Sequence, residues 1–152
     1  MKLVEEIRQK KPFATPAQEA VVALMRTTDG VRRRIAEVVE PKGISYQQYN
    51  VLRILRGAGD AGLATLEVVE RMVERTPAIT RLMDKLEAKK LIRRKRCKED
   101  RRRVLCYIER KGLDLLAGLD EAVAKAGEAA LEGLKAKQTE KLIRLLEIVR
   151  EG

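Results

Sequence analysis

Histidine and tryptophan are both absent from the 152 residues, and one phenylalanine and three tyrosines make up all the aromatics. Without an imidazole the chain has no side chain that titrates unaided near neutral pH, and no histidine to hold a metal. Its two cysteines cannot fill the four positions of a structural zinc site, and they are too few for a disulfide framework. No phosphate-binding glycine loop or nucleophile elbow occurs, and the carboxylates are spread over helical stretches rather than paired. Catalysis, a metal and a cofactor are therefore not expected. Long apolar runs are missing as well. The longest, Ala20 to Met25, falls far short of the roughly 20 residues that span a bilayer. The opening MKLVEEIRQKK is charged throughout, unlike a secretion signal. A cytoplasmic chain without a membrane partner is the expectation.

Cationic side chains are abundant. Lys and Arg number 33 against 23 Asp and Glu, giving a net charge of +10 and an isoelectric point near 9.9. The excess is localised. Residues 71 to 111 carry 16 cations and 6 carboxylates, whereas residues 1 to 70 net +2 and residues 112 to 152 net −2. Within the block, RRKRCKEDRRR at 93 to 103 holds eight cations and two carboxylates. Like charges this close repel one another, so the concentration points to a polyanionic partner rather than to general solubility. At 45% hydrophobic residues the chain has enough apolar content to fold around a core instead of remaining a solvated polyelectrolyte.

Helical periodicity dominates the chain. Thr15 and Pro16 supply a cap and a first helical residue, after which Val21, Leu24, Met25, Thr28, Val31, Ile35 and Val38 form one stripe. Pro41 and Gly43 end it. A second helix starts at Ser45, with Tyr49, Leu52 and Leu55 or Ile54 inward. The glycine-rich RGAGDAG at 56 to 62 breaks it, and a short helix runs from about Thr65 to Val73 with Val68, Val69 and Met72 buried. TPAITRLMDKLEAKK repeats the capping pattern, with Thr76 at the cap and Pro77 at the first position. There Ile79, Leu82, Met83 and Leu86 form the buried face and Ala78, Thr80, Arg81, Asp84 and Lys85 look outward. The basic run is bracketed by Leu91-Ile92 and by Val104 to Ile108, which read as two strands with the charge at their hairpin. Two more helices follow, the first from Gly112 to about Leu131 and the last from Thr139 to Arg150. The Arg32-Arg33-Arg34 knot reads as a solvated helix face.

GISYQQYNVLRIL, GLATLEVVERM, TPAITRLMDKLEAKKLIRR and EDRRRVLCYIERKG together resemble the MarR family of transcription regulators. The resemblance implies a mainly α chain with a small β-hairpin, a winged helix-turn-helix with N- and C-terminal dimerisation helices. Residues 1 to 44 and 111 to 152 would dimerise, and residues 45 to 110 would bind DNA. It further implies a homodimer on double-stranded DNA at a pseudo-palindromic operator, most often repressing, with a small-molecule effector between dimer and DNA-binding domains. Carried over by position, Thr76, Pro77, Ala78, Thr80 and Arg81 would enter the major groove, flanked by Lys85. Asp100 would orient Arg102 for the minor groove. The sequence departs from the family at Lys90, where glycine usually supplies a left-handed residue, so the helix is expected to end differently there. It departs also at Ala64 and Ile108-Glu109, where capping hydroxyls are common.

Physical chemistry supports the same assignment. Guanidinium groups favour a narrow, electronegative minor groove, and Arg81 suits a bidentate contact with a guanine edge. Arg93, Arg94, Lys95, Arg96, Lys98, Arg101 and Arg103 suit phosphates, which position a protein without reading sequence. Rival readings are a non-specific architectural nucleic-acid protein, a winged helix that binds proteins, and a redox-responsive regulator using Cys97 and Cys106, whose thiolates nearby arginines would favour. Tyr46, Tyr49 and Phe13 are the aromatics available to line an effector pocket, although packing roles account for each.

Overall fold

Residues 2–152 are described by a computed structural model, which opens with a single helical turn, α1 (Leu3–Glu6). The long helix α2 (Pro16–Val39) begins as its sequence dictates: Thr15 Oγ1 accepts the Gln18 amide at 3.2 Å and Pro16 takes the first position. A 3-10 turn over Glu40–Lys42 and a left-handed Gly43 (φ 82°) end it. Ser45 and Gln48 then cap α3 (Tyr46–Ala58) reciprocally, the Gln48 amide donating to the Ser45 hydroxyl at 3.1 Å and the Ser45 amide to the Gln48 side-chain carbonyl at 3.0 Å. Tyr49, Val51, Leu52 and Leu55 are buried on its inner face. The helix persists through Arg56 and Gly57, so the glycine-rich break starts at Gly59 rather than at residue 56.

One strand is absent from the sequence reading. β1 (Leu63–Ala64) pairs antiparallel with β3 (Val104–Ile108), which pairs in turn with β2 (Ile92–Arg96), giving the order β1-β3-β2. Two residues are too few for a detectable alternation. Gly62 makes the close approach possible. Its φ of 66° and ψ of −175° lie in a region open essentially to glycine alone, and a Cβ there would sit 2.6 Å from Tyr107 Cε1.

The short α4 (Thr65–Arg71) and α5 (Ile79–Ala88) complete the helix-turn-helix. α5 starts later than its sequence pattern implies. Ala78 is the N-cap residue, and Thr76 Oγ1 accepts the Ala78 amide at 3.1 Å in a local turn instead of capping the helix. At the other end Lys90 takes φ 59°. The Leu91 amide reaches Leu86 O at 3.0 Å and the Lys90 amide reaches Glu87 O at 2.9 Å, a complete Schellman cap with lysine in glycine's place. The expected different ending does not occur: Leu86 and Leu91 are both buried in the core, and their burial favours the closed turn. Last come α6 (Arg110–Ala130) and α7 (Ala136–Glu151), the latter starting three residues before Thr139.

A single core collects Val39, Leu52, Leu55, Val68, Met83, Leu86, Ile92, Cys106, Leu116 and Leu119, so α2, α3, α5, the sheet and α6 share one apolar centre. Each large aliphatic buried there contributes about 1.5–3 kcal/mol. Both elements bearing the basic block, α5 and the β2–β3 hairpin, are fastened to it by Met83, Leu86, Ile92 and Cys106. By contrast, α7 buries no residue, and it leaves Ile143, Leu145, Ile148 and Val149 at least half exposed. Val21 and Met25 of α2 are similarly uncovered.

Candidate nucleic-acid interface

Leu82, Met83 and Leu86 anchor α5, and this rotates Thr80, Arg81 and Lys85 outward, with Pro77 and Ala78 exposed on the turn ahead. The segment leading into α5 is tied down on both sides. Asn50 Oδ1 of α3 accepts the Val73 amide at 2.9 Å, and Glu74 accepts from Gln47 at 3.3 Å and pairs with Arg32 of α2. Arg32 also pairs with Asp29 at 3.0 Å, as does Arg33 at 3.1 Å. The arginine knot on α2 is therefore partly an internal tie. Nothing in local sequence links Arg32 with Glu74, 42 residues away.

The hairpin tip is ordered by its own backbone. The Cys97 amide donates to Arg103 O at 2.8 Å, and the Arg103 amide to Asp100 O at 2.9 Å. Asp100 Oδ1 accepts the Arg102 amide at 3.0 Å, so in this structure the carboxylate sets the arginine's main chain and leaves the guanidinium free. Arg96 donates to Arg101 O at 3.5 Å.

The cations of the basic run separate into two groups. Arg93 stacks 4.2 Å from the Tyr107 ring and pairs with Glu109 at 3.2 Å. Arg103 pairs with Glu67 of α4 at 2.9 Å. Arg94 is the least exposed of the three and pairs with Asp84 at 2.6 Å and Glu87 at 3.0 Å. These three cations, which the sequence reading assigned to phosphates, make internal contacts in the free chain. Lys95, Arg96, Lys98, Arg101 and Arg102 are exposed, and none forms an ion pair among the described residues. Asp84, Glu67 and Glu87 were missed as partners; the i, i+3 spacing of Asp84 and Glu87 within a cationic block was the available signal. Hydrogen bonding from Arg94 holds the Glu87 carboxyl below its ordinary value. The Ala64 amide, then Arg103, does the same for Glu67. The Glu67 contact at 2.8 Å satisfies the N-cap amide of α4, Ala64 itself offering no hydroxyl to the amides of the first turn.

The MarR family profile matches residues 44–104. A MarR transcription factor from Planctomyces limnophilus is 39% identical, over 90% of this chain and 99% of that one, with a TM-score of 0.69. The chain belongs to the MarR family. The HTH-type transcriptional regulator MhqR of Bacillus subtilis (strain 168) is 28% identical over 134 residues, 77% of this chain and 91% of that one. Sco3205, a MarR family transcriptional regulator from Streptomyces coelicolor solved in complex with DNA, superposes with a TM-score of 0.80 over 95% of this chain and 92% of that one. At 19% identity that likeness concerns the fold. Fold class and family thus agree with the sequence reading: a MarR-family transcriptional regulator with a winged helix.

The two thiols of this MarR-family chain occupy different environments. Cys106 is fully buried beside Thr65 Oγ1 at 3.6 Å, and burial pushes its thiol up. Cys97 is partly exposed at the hairpin tip. Cys97 lies opposite Arg103, three residues along the ladder from Cys106, roughly 10 Å away at strand spacing. That exceeds the Cα separation a disulfide bridges, so the redox alternative gains no cysteine pair within one chain. Among the described residues no helix is long and apolar enough to cross a membrane.

The three aromatics fall in separate hollows. Tyr49 lines a cleft of about 570 Å³ between α2, α3 and α6 with Ile35, Arg53, Arg56 and Val123. Tyr46 lies beside Arg32 and Glu74 in one of about 280 Å³. Phe13 borders a shallow apolar groove against Val21 and Val22.

Proposed function

We propose that this chain is a sequence-specific repressor that binds a pseudo-palindromic duplex operator as a homodimer. The observation that carries the reading is the joint mounting, on one core, of an outward Thr80-Arg81-Lys85 face and a hairpin with five cations free of ion pairs among the described residues. Thr76, Pro77, Ala78, Thr80 and Arg81 approach the major groove, with Arg81 reading a guanine edge. Arg102 enters the minor groove, and Lys95, Arg96, Lys98 and Arg101 engage phosphates. Two such units spaced by about one helical turn, near 34–36 Å, meet successive major grooves. Dimerisation through residues 1 to 44 and 111 to 152 is supported by the uncovered apolar faces of α2 and α7, which a second copy would bury.

An effector reading rests on the Tyr49 cleft. It joins α3 of the DNA-binding unit to α2 and α6, and Arg53 and Arg56 line it with Asp120 and Glu128, Arg56 pairing with Asp120 at 2.9 Å.

Selection from a random duplex pool, followed by affinity measurements over a salt series, tests the function. The expected result is a two-fold symmetric consensus bound at least a thousandfold more tightly than scrambled duplex, with affinity falling steeply as salt rises. Uniform affinity for every sequence would instead make the chain an architectural protein.

A further inference from the structure

Wing and recognition helix are joined by one side chain. Strand β2 lies at the edge of the sheet, so alternate backbone amides have no strand to bond. Arg94, opposite Cys106 in the register, is one of them, and Glu87 of α5 accepts its amide at 2.9 Å. The same carboxylate accepts the Arg94 guanidinium at 3.0 Å, and Asp84, one turn earlier, accepts it at 2.6 Å. Asp84 and Glu87 share one side of α5, a helix that Leu82, Met83 and Leu86 lock in the core. Three short bonds from one residue to two positions of a rigid helix leave β2 little freedom to pivot. No other wing cation is held this way. Arg103 makes one half-exposed ion pair to α4, and Arg93 pairs with Glu109 and stacks on Tyr107 of its own sheet.

Building on the DNA-binding reading above, we propose that Arg94, acting through Asp84 and Glu87, is a positioning residue. It fixes the angle between the minor-groove wing and the major-groove helix, and so sets operator selectivity. A planar guanidinium is suited to this task, since it spans two carboxylates at fixed directions, whereas an ammonium is a point charge. The arrangement also explains why two carboxylates stand on the DNA-facing element of the most cationic block of the chain. Unpaired they would only repel phosphate, and both are paired with Arg94.

The sign of one substitution decides the matter. Glu87→Gln removes a negative charge near the DNA, and electrostatics alone would make every duplex bind more tightly. Positioning gives the opposite result on the operator: at least a tenfold loss of affinity, with scrambled duplex bound as well as by the parent or better, so the selectivity ratio falls. Arg94→Lys is the second variant. It keeps the cation, so a phosphate contact would survive, whereas the hold on two carboxylates would not. The expected outcome is the same loss of operator selectivity with an unchanged salt slope on scrambled duplex. Active fractions are fixed by stoichiometric titration well below each variant's melting point, and if Glu87→Gln does not fold, Arg94→Lys decides. Unchanged or tighter operator binding at the parent's selectivity, or an equal loss on both duplexes, overturns the proposal. A parent without sequence preference overturns the functional reading itself, a separate result.

Discussion

Replacing Lys90 with glycine should stabilise the protein. Lys90 holds φ at 59° with its amide bonded to Glu87 O at 2.9 Å, and its exposed side chain makes no ion pair or hydrogen bond among the described residues. For a residue with a Cβ the left-handed conformation costs about 1–2 kcal/mol, from the approach of Cβ to the following carbonyl. Glycine escapes that cost but has more backbone freedom to lose on folding, about 0.5–1 kcal/mol. The difference leaves a gain of about 0.5–1 kcal/mol, or roughly 2–3 °C in melting temperature for a chain of this size. Urea titration at a fixed protein concentration measures it as a rise in midpoint at constant slope, the concentration being fixed because subunit association contributes to apparent stability. Lys90→Ala is the control. It removes the same charge and side chain but keeps Cβ, so its stability should match the parent's. If alanine stabilises as much as glycine, or glycine stabilises nothing, backbone strain at Lys90 is not the cause and the explanation fails.

Other perturbations address the wing, the sheet, the thiols and acid. Arg102→Ala should weaken operator binding by about 1–3 kcal/mol with no change in melting temperature, and Arg81→Ala should in addition change which bases a random pool yields; parent-like operator affinity for Arg102→Ala refutes the wing assignment. Gly62→Ala places Cβ 2.6 Å from the Tyr107 ring and 2.8 Å from Cys106 O, so it should cost more than about 2 kcal/mol in urea titration; a smaller loss means β1 shifts freely. In the native state an alkylating reagent should modify Cys97 and spare Cys106, whose burial keeps the thiol protonated; equal rates by mass spectrometry would contradict the packing. Arg94 lowers the Glu87 pKa, and Arg56 lowers that of Asp120. Each carboxylate therefore contributes stability that is full above its ordinary range and lost as pH falls through its lowered value. Between about pH 5 and about pH 3 the parent should lose more stability than a Glu87→Gln, Asp120→Asn double variant, and equal losses would show that these pairs do not favour the folded state.

Much of this fold can be read along the chain because its causes are local. Thr15-Pro16 and Ser45 with Gln48 cap helices within four residues. The spacing of Ile79, Leu82, Met83 and Leu86 requires no partner to define a face, and the apolar brackets around residues 93 to 103 mark a hairpin. The charge block is also a property of sequence alone. These features carried the order of the elements and the exposed residues of α5.

Long-range pairing set the rest. β1 exists because Gly62 lets Leu63 reach Cys106, more than forty residues on. Lys90 keeps a left-handed turn because Leu86 and Leu91 are buried together. Above all, the sequence determined how many cations the wing carries, while the tertiary structure decided which of them remain free. Arg94 and Arg103 stand in the same run as Arg101 and Arg102, but an ion pair depends on which carboxylate the folded chain brings within about 3 Å, and no one-dimensional spacing encodes that distance.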